Sequence, residues 1–111
     1  MAQSEPGRVL AFTPQPAQLL ALVRAAAADS SNVKFGMHAL GRMEERGITT
    51  LDALRVLRQG EIEGPIQAGT NKGEWKCKIV KKIKGSRDVG VITVVMSDGR
   101  LFIKTVEWED I

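Results

Sequence analysis

The chain has 111 residues, 43% of them hydrophobic, which is enough for one modest core and too little for two, and argues against a disordered tail. Sixteen Lys and Arg against thirteen Asp and Glu leave a formal charge of +3, mild for a nucleic-acid binder if spread evenly. The cations are not even: from Lys72 to Arg87 stand seven basic residues and one acidic residue, Glu74, so this segment alone carries +6, more than the net charge of the whole chain.

Residues 1–12 mix Gly, Pro, Ser and charges without a sustained period, the pattern of a flexible arm, and residues 13–111 read as a single domain. Thr13 can cap a first helix that starts near Pro14, runs through the Ala- and Leu-rich stretch from Ala17, and ends at Asp29 to Asn32. A second helix is predicted from Met37 to Arg46, with Gly47 as its left-handed stop and Met37, Leu40 and Met43 as its buried back. Thr49 with Asp52 has the spacing of a capping box, opening a third helix that carries Leu51, Leu54, Val56 and Leu57 to Gly60.

The period then changes to two. Glu61–Gln67 reads as a short strand, interrupted by Gly64 and Pro65 and therefore at an edge. Glu74–Lys84 reads as a longer one, with Trp75, Cys77, Ile79 and Ile83 on one face and Lys76, Lys78, Val80, Lys82 and Lys84 on the other. Val89–Met96 is apolar on both faces, as a central strand is, and Ser97 to Gly99 form a turn into Leu101–Trp108. In that last strand Lys104 falls in the same parity as Phe102 and Val106. Three helices followed by four strands with short connections predict an α+β fold, the helices on one face of a twisted four-stranded antiparallel sheet and the other face free for a ligand.

One cysteine and one histidine rule out an intramolecular disulfide and the usual zinc-ligand sets. No metal and no cofactor is expected. Neither a leader pattern nor a run of about eighteen apolar residues occurs, so the expected setting is cytoplasmic, away from a membrane.

The richest chemistry lies in the second helix. His38, Arg42 and Arg46 recur every four residues and share one helix face. An imidazole beside two guanidiniums suits phosphodiester chemistry: His38 can exchange protons with a ribose 2′-hydroxyl and a leaving 5′-oxygen, while Arg42 and Arg46 stabilise the phosphorane charge. These three are the candidate catalytic residues. Lys76, Lys78, Lys82, Lys84 and Lys104 are the candidate RNA-backbone contacts. The blander alternatives are a surface histidine, arginines paired with Glu45, Glu107 or Asp110, and lysines that guard a sheet edge.

The run from His38 through Arg42, Arg46 and Ile48, continued by Asp52 and by Leu57 to Ile62, resembles the domain-of-unknown-function family numbered 4258, over about Val33 to Glu107. That family is in turn similar to RelE-like toxins. The resemblance implies a small α+β fold with a twisted antiparallel sheet, a partner antitoxin, and metal-independent cleavage of RNA, either free or as ribosome-bound mRNA. RelE-type enzymes commonly use Tyr beside Arg and Lys, and this chain has no tyrosine; His38 is the expected substitute. The alternative is a non-catalytic module of the same fold that binds RNA or protein.

Overall fold

In a computed structural model the chain is described over residues 13–110. The arm expected over residues 1–12 lies outside the described residues, as does the side chain of Lys84. Helix α1, Pro16–Ala27, begins with proline in its first position, where the missing N–H costs nothing. Its cap is Gln15, whose N–H donates to Gln18 Oε1 at 3.3 Å, rather than Thr13. One stripe of α1, Leu19, Val23 and Ala27, is fully buried. A three-residue strand β1, Val33–Phe35, follows a single 3-10 turn.

Helix α2, Met37–Arg46, ends at Gly47 with φ +68°, the left-handed cap that glycine adopts most readily. It buries Ala39 and Met43, four apart, together with Ile48. Met37 is 90% exposed and Leu40 45%, which corrects the buried back read from the sequence: small Ala39 brings the helix close to the sheet on the next stripe round. Helix α3, Thr50–Gln59, starts with the expected box, Thr49 Oγ1 accepting from the Asp52 N–H and an Asp52 oxygen from the Thr49 N–H, both at 3.0 Å. Ala53, Leu54, Val56 and Leu57 are buried, whereas Leu51, in the first turn, is 73% exposed. Arg58 Nε donates to the Ala27 carbonyl at 2.6 Å, tying the end of α3 to that of α1.

The strands are β2 (Glu61–Ala68), β3 (Trp75–Ile83), β4 (Arg87–Val95) and β5 (Leu101–Trp108). The sheet has five strands in the order β1-β5-β4-β3-β2, and β1 pairs parallel to β5 over Val33–Phe35 against Leu101–Ile103. This corrects the expected four-stranded antiparallel sheet: three residues are too few to show a period, and parallel pairing to a strand far along the chain leaves no local signature. The central position of β4 and the edge position of β2, with its irregularity between Glu63 and Gln67 around Gly64 and Pro65, are as expected.

Register assigns the two faces. Cys77, Ile79, Ile83, Val89, Val91, Val95, Leu101, Ile103 and Val106 join the buried stripes of the helices in one core. On the opposite face Lys76, Lys78 and Lys82 of β3 sit across from Val94, Ile92 and Asp88 of β4, with Phe102, Thr105 and Glu107 of β5 alongside. A bulge lies here: Thr93 pairs with Ile103 and Ile92 with Thr105, so Lys104 has no partner. The bulge overturns the uniform parity read for Lys104, since Phe102 stays on the open face while Val106 enters the core.

Candidate functional site on the open sheet face

Beyond Ile103, β1 no longer covers β5. Gly36, just ahead of α2, donates its N–H to the Ile103 carbonyl at 3.0 Å, and α2 then follows β5 until Arg46 Nη1 donates to the Val106 carbonyl at 2.8 Å. Trp108 Nε1 returns a bond to the Arg46 carbonyl at 3.1 Å. The end of the helix is thereby fixed against the end of the strand, and a sheet edge that would offer free backbone groups is closed by a guanidinium.

The Arg46 guanidinium then faces a cleft of about 360 Å³ lined by Arg46, Lys78, Glu107, Trp108 and Glu109. Lys78 is its centre. Lys78 Nζ lies 2.5 Å from Glu109 Oε1 and 4.0 Å from Glu107 Oε2, and the hydrogen bond to Glu109 is the main cause of a lysine pKa raised above the ordinary value. Glu109 is held by its backbone N–H on the Asp88 carbonyl at 2.9 Å and lies over Gly90, where any side chain would overlap its carboxylate. Glu109 Oε2 is buried without a hydrogen-bond partner among the described residues.

Glu107 is held above the usual carboxylate range, first by partial burial and then by the neighbouring Glu109, against the opposite pull of Lys78 and Arg46. A second groove of about 440 Å³ adjoins the cleft through shared Lys78 and Glu107 and continues past Ile92, Lys76 and Cys77 to Glu63, Gly64, Pro65 and Gln67. The Cys77 thiol, 2% exposed, is pushed up to about 11 by burial, so it packs as a small apolar group.

The residues singled out in the sequence divide accordingly. Arg46 and Lys78 share the cleft, and Lys76 lines the adjoining groove. Arg42 pairs with Glu45 at 3.1 Å on the exposed side of α2. His38, exposed in the first turn of α2, stands eight residues from Arg46, about 12 Å along the axis at a rise of about 1.5 Å per residue. Lys82 is occupied by Asp88 at 3.4 Å and the Ser86 carbonyl at 3.2 Å. Lys104 is exposed beside Phe102 and Val94 in a separate hollow with Thr70 and Asn71. Arg87 stacks 3.9 Å over the Trp108 ring and holds Asp110 with two bonds, so Asp110 is not the partner of Arg46.

Sequence reading passed over Glu107 and Glu109 as catalytic candidates. The parity of Glu107 in β5 shows only once the bulge is known, and Glu109 lies past the strand end. The cluster is one of mixed sign; among the described residues no three His, Cys, Asp or Glu side chains group as metal ligands, and no helix is long and apolar enough to cross a membrane.

Fold and site together define a small α+β protein whose helices cover one face of a mixed sheet and whose other face carries a cleft lined by charges of both signs at the junction of α2 and β5. The chain belongs to the family described as a domain of unknown function, DUF4258, whose model matches residues 35–108, from the end of β1 to the end of β5. No curated protein and no solved structure gave a match.

Proposed function

We propose that the chain is the RelE-like toxin of a toxin–antitoxin pair, a cytoplasmic endoribonuclease that cleaves RNA, including ribosome-bound mRNA, without a metal ion. The observation that carries this reading is the meeting of Arg46 and Lys78 with Glu107 in one cleft on the sheet face that no helix covers. Two fixed cations can hold a phosphodiester and stabilise the charge of its pentacoordinate state, and an adjacent titratable carboxyl supplies a proton acceptor. Lys76 and Lys104 on the same face, with Arg42 along α2, extend the surface that an RNA backbone would follow. An antitoxin fits this face through an acidic segment that neutralises the lysines.

The test is induction of the chain in a bacterial host, wild type beside Arg46→Ala, with total RNA mapped for new 5′ ends. Growth arrest with cuts that disappear in the variant is the expected result. Absence of arrest and of cuts with folded wild-type chain would overturn the reading. One observation favours the second reading, a binding module without chemistry: both cations already hold protein groups, Lys78 the Glu109 carboxylate and Arg46 the Val106 carbonyl, so RNA must compete for them. Retained RNA binding without cleavage would identify that module.

A further inference from the structure

We infer that Glu107, rather than His38, is the group that exchanges the proton with the ribose 2′-hydroxyl in the cleft of Arg46 and Lys78; this rests on the endoribonuclease reading above. The two carboxylates there are unequal. Glu109 is the deeper, its side chain 16% exposed, and it is committed to Lys78. Glu107 is 38% exposed, its nearer oxygen 4.0 Å from Lys78 Nζ, so it is the carboxylate a substrate can reach.

The charged groups that face Glu107 come from several elements, while its partner in β4 is the uncharged Gly90. Arg46 comes from α2, Lys78 from β3, Glu63 from β2 across the adjoining groove, and Glu109 from just beyond β5. Burial and the neighbouring Glu109 strengthen Glu107 as a base once ionised, while Arg46 and Lys78 keep the ionised form accessible. A phosphate held by Arg46 lies about two helical turns from the helix position of His38, whereas Glu107 lines the same cleft.

The step balances without a further reactant. The Glu107 carboxylate takes the 2′-hydroxyl proton as the 2′-oxygen bonds to phosphorus. The pair of electrons in the phosphorus–O5′ bond leaves with the 5′-oxygen, which takes a proton from solvent at the open mouth of the cleft. Products are a 2′,3′-cyclic phosphate and a 5′-hydroxyl, and Glu107 then returns its proton to water. Glu109 acts through Lys78 as a positioning residue.

The experiment compares purified wild type, Glu107→Gln, Glu107→Asp and His38→Ala on single-stranded RNA and on ribosome-bound mRNA. RNA binding and thermal unfolding are measured on the same samples. Glu107→Gln should lower cleavage by about 100-fold or more, the loss typical of removing a general base, while RNA binding is kept. His38→Ala should stay within about tenfold of wild type, since a group outside the proton transfer forfeits none of that contribution. Glu107→Asp retains the carboxyl, so it should still cut and should move the acid limb of the pH–rate profile relative to wild type; this shift decides the matter if Glu107→Gln fails to fold. Cleavage by Glu107→Gln at the wild-type rate, or loss confined to His38→Ala, overturns the inference and leaves the endoribonuclease reading standing. A wild type that binds RNA and makes no cut on either substrate overturns both.

Discussion

Lys78 Nζ and Glu109 Oε1 meet at 2.5 Å above Gly90, whose lack of a side chain is what makes room for the carboxylate. The pair joins β3 to the segment beyond β5 across the intervening strand β4. Removing the ammonium leaves a deeply placed carboxylate with one oxygen already unpartnered. Lys78→Met is therefore expected to lower stability by about 1–3 kcal/mol, measured by urea unfolding, and Glu109→Gln to cost less because an amide can still accept from Lys78.

Gly60 follows α3 with ordinary extended angles, φ −84° and ψ −176°, so backbone conformation does not demand glycine there. Space does. A Cβ would stand 2.6 Å from the Val80 carbonyl oxygen, 2.7 Å from that of Val56 and 2.9 Å from Ile79 Cγ2. Two of these are backbone atoms that cannot rotate away, and Gly60→Ala should destabilise by about 3 kcal/mol, seen as an earlier urea midpoint with an unchanged slope.

Glu107 gives stability a definite dependence on pH. Its pKa in the fold is raised, so between the unfolded and folded values the native state binds more protons than the unfolded chain, and stability falls as pH rises through that window. Glu107→Gln removes this dependence. The variant should gain on wild type above the folded pKa and lose that advantage below the unfolded one, in paired unfolding curves across the carboxylate range. Asp110, lowered mainly by its hydrogen bond with Arg87, acts with the opposite sign, and its contribution fades as pH falls through its lowered value.

The Cys77 thiol is buried on the core face with its pKa pushed up to about 11. Native protein at pH 8 should react with a disulfide reagent far more slowly than a free thiol, and at the ordinary rate in denaturant. Fast labelling of the folded chain would contradict the packing of β3.

RNA affinity should fall with salt, and the lysines should differ in how much. Lys76 lines the groove without an ion pair among the described residues, so Lys76→Ala should reduce the slope of log affinity against log salt by about one phosphate contact. Lys82, held by Asp88, should change it much less. Equal effects would show that surface ion pairs do not govern which cations meet the backbone.

Local chemistry made most of the elements legible in advance. Gly47, the Thr49 and Asp52 box, the alternation from Trp75 to Ile83 and the turn at Ser97 to Gly99 each act over a few residues, and each element lies where those residues put it. What escaped depends on distant parts of the chain. β1 exists because Leu101–Ile103 gives it a partner, the buried stripe of α2 is chosen by the surface it meets, and the bulge at Lys104 decides which side chains join Phe102. For the same reason Arg46 and Lys78 were recognisable as cations, while their meeting with Glu107 and Glu109 was not.

The bond from Arg46 to the Val106 carbonyl and its return from Trp108 to the Arg46 carbonyl span about sixty residues of chain. Contacts so far apart in sequence form late, because the entropy of closing the intervening loop must be met before they stabilise anything. One wall of the cleft is synthesised well before the other. A chain still emerging from the ribosome therefore holds Arg46 without Glu107 and Glu109, and the assembled cleft first exists only after the codons for β5 and the residues just beyond it have been read.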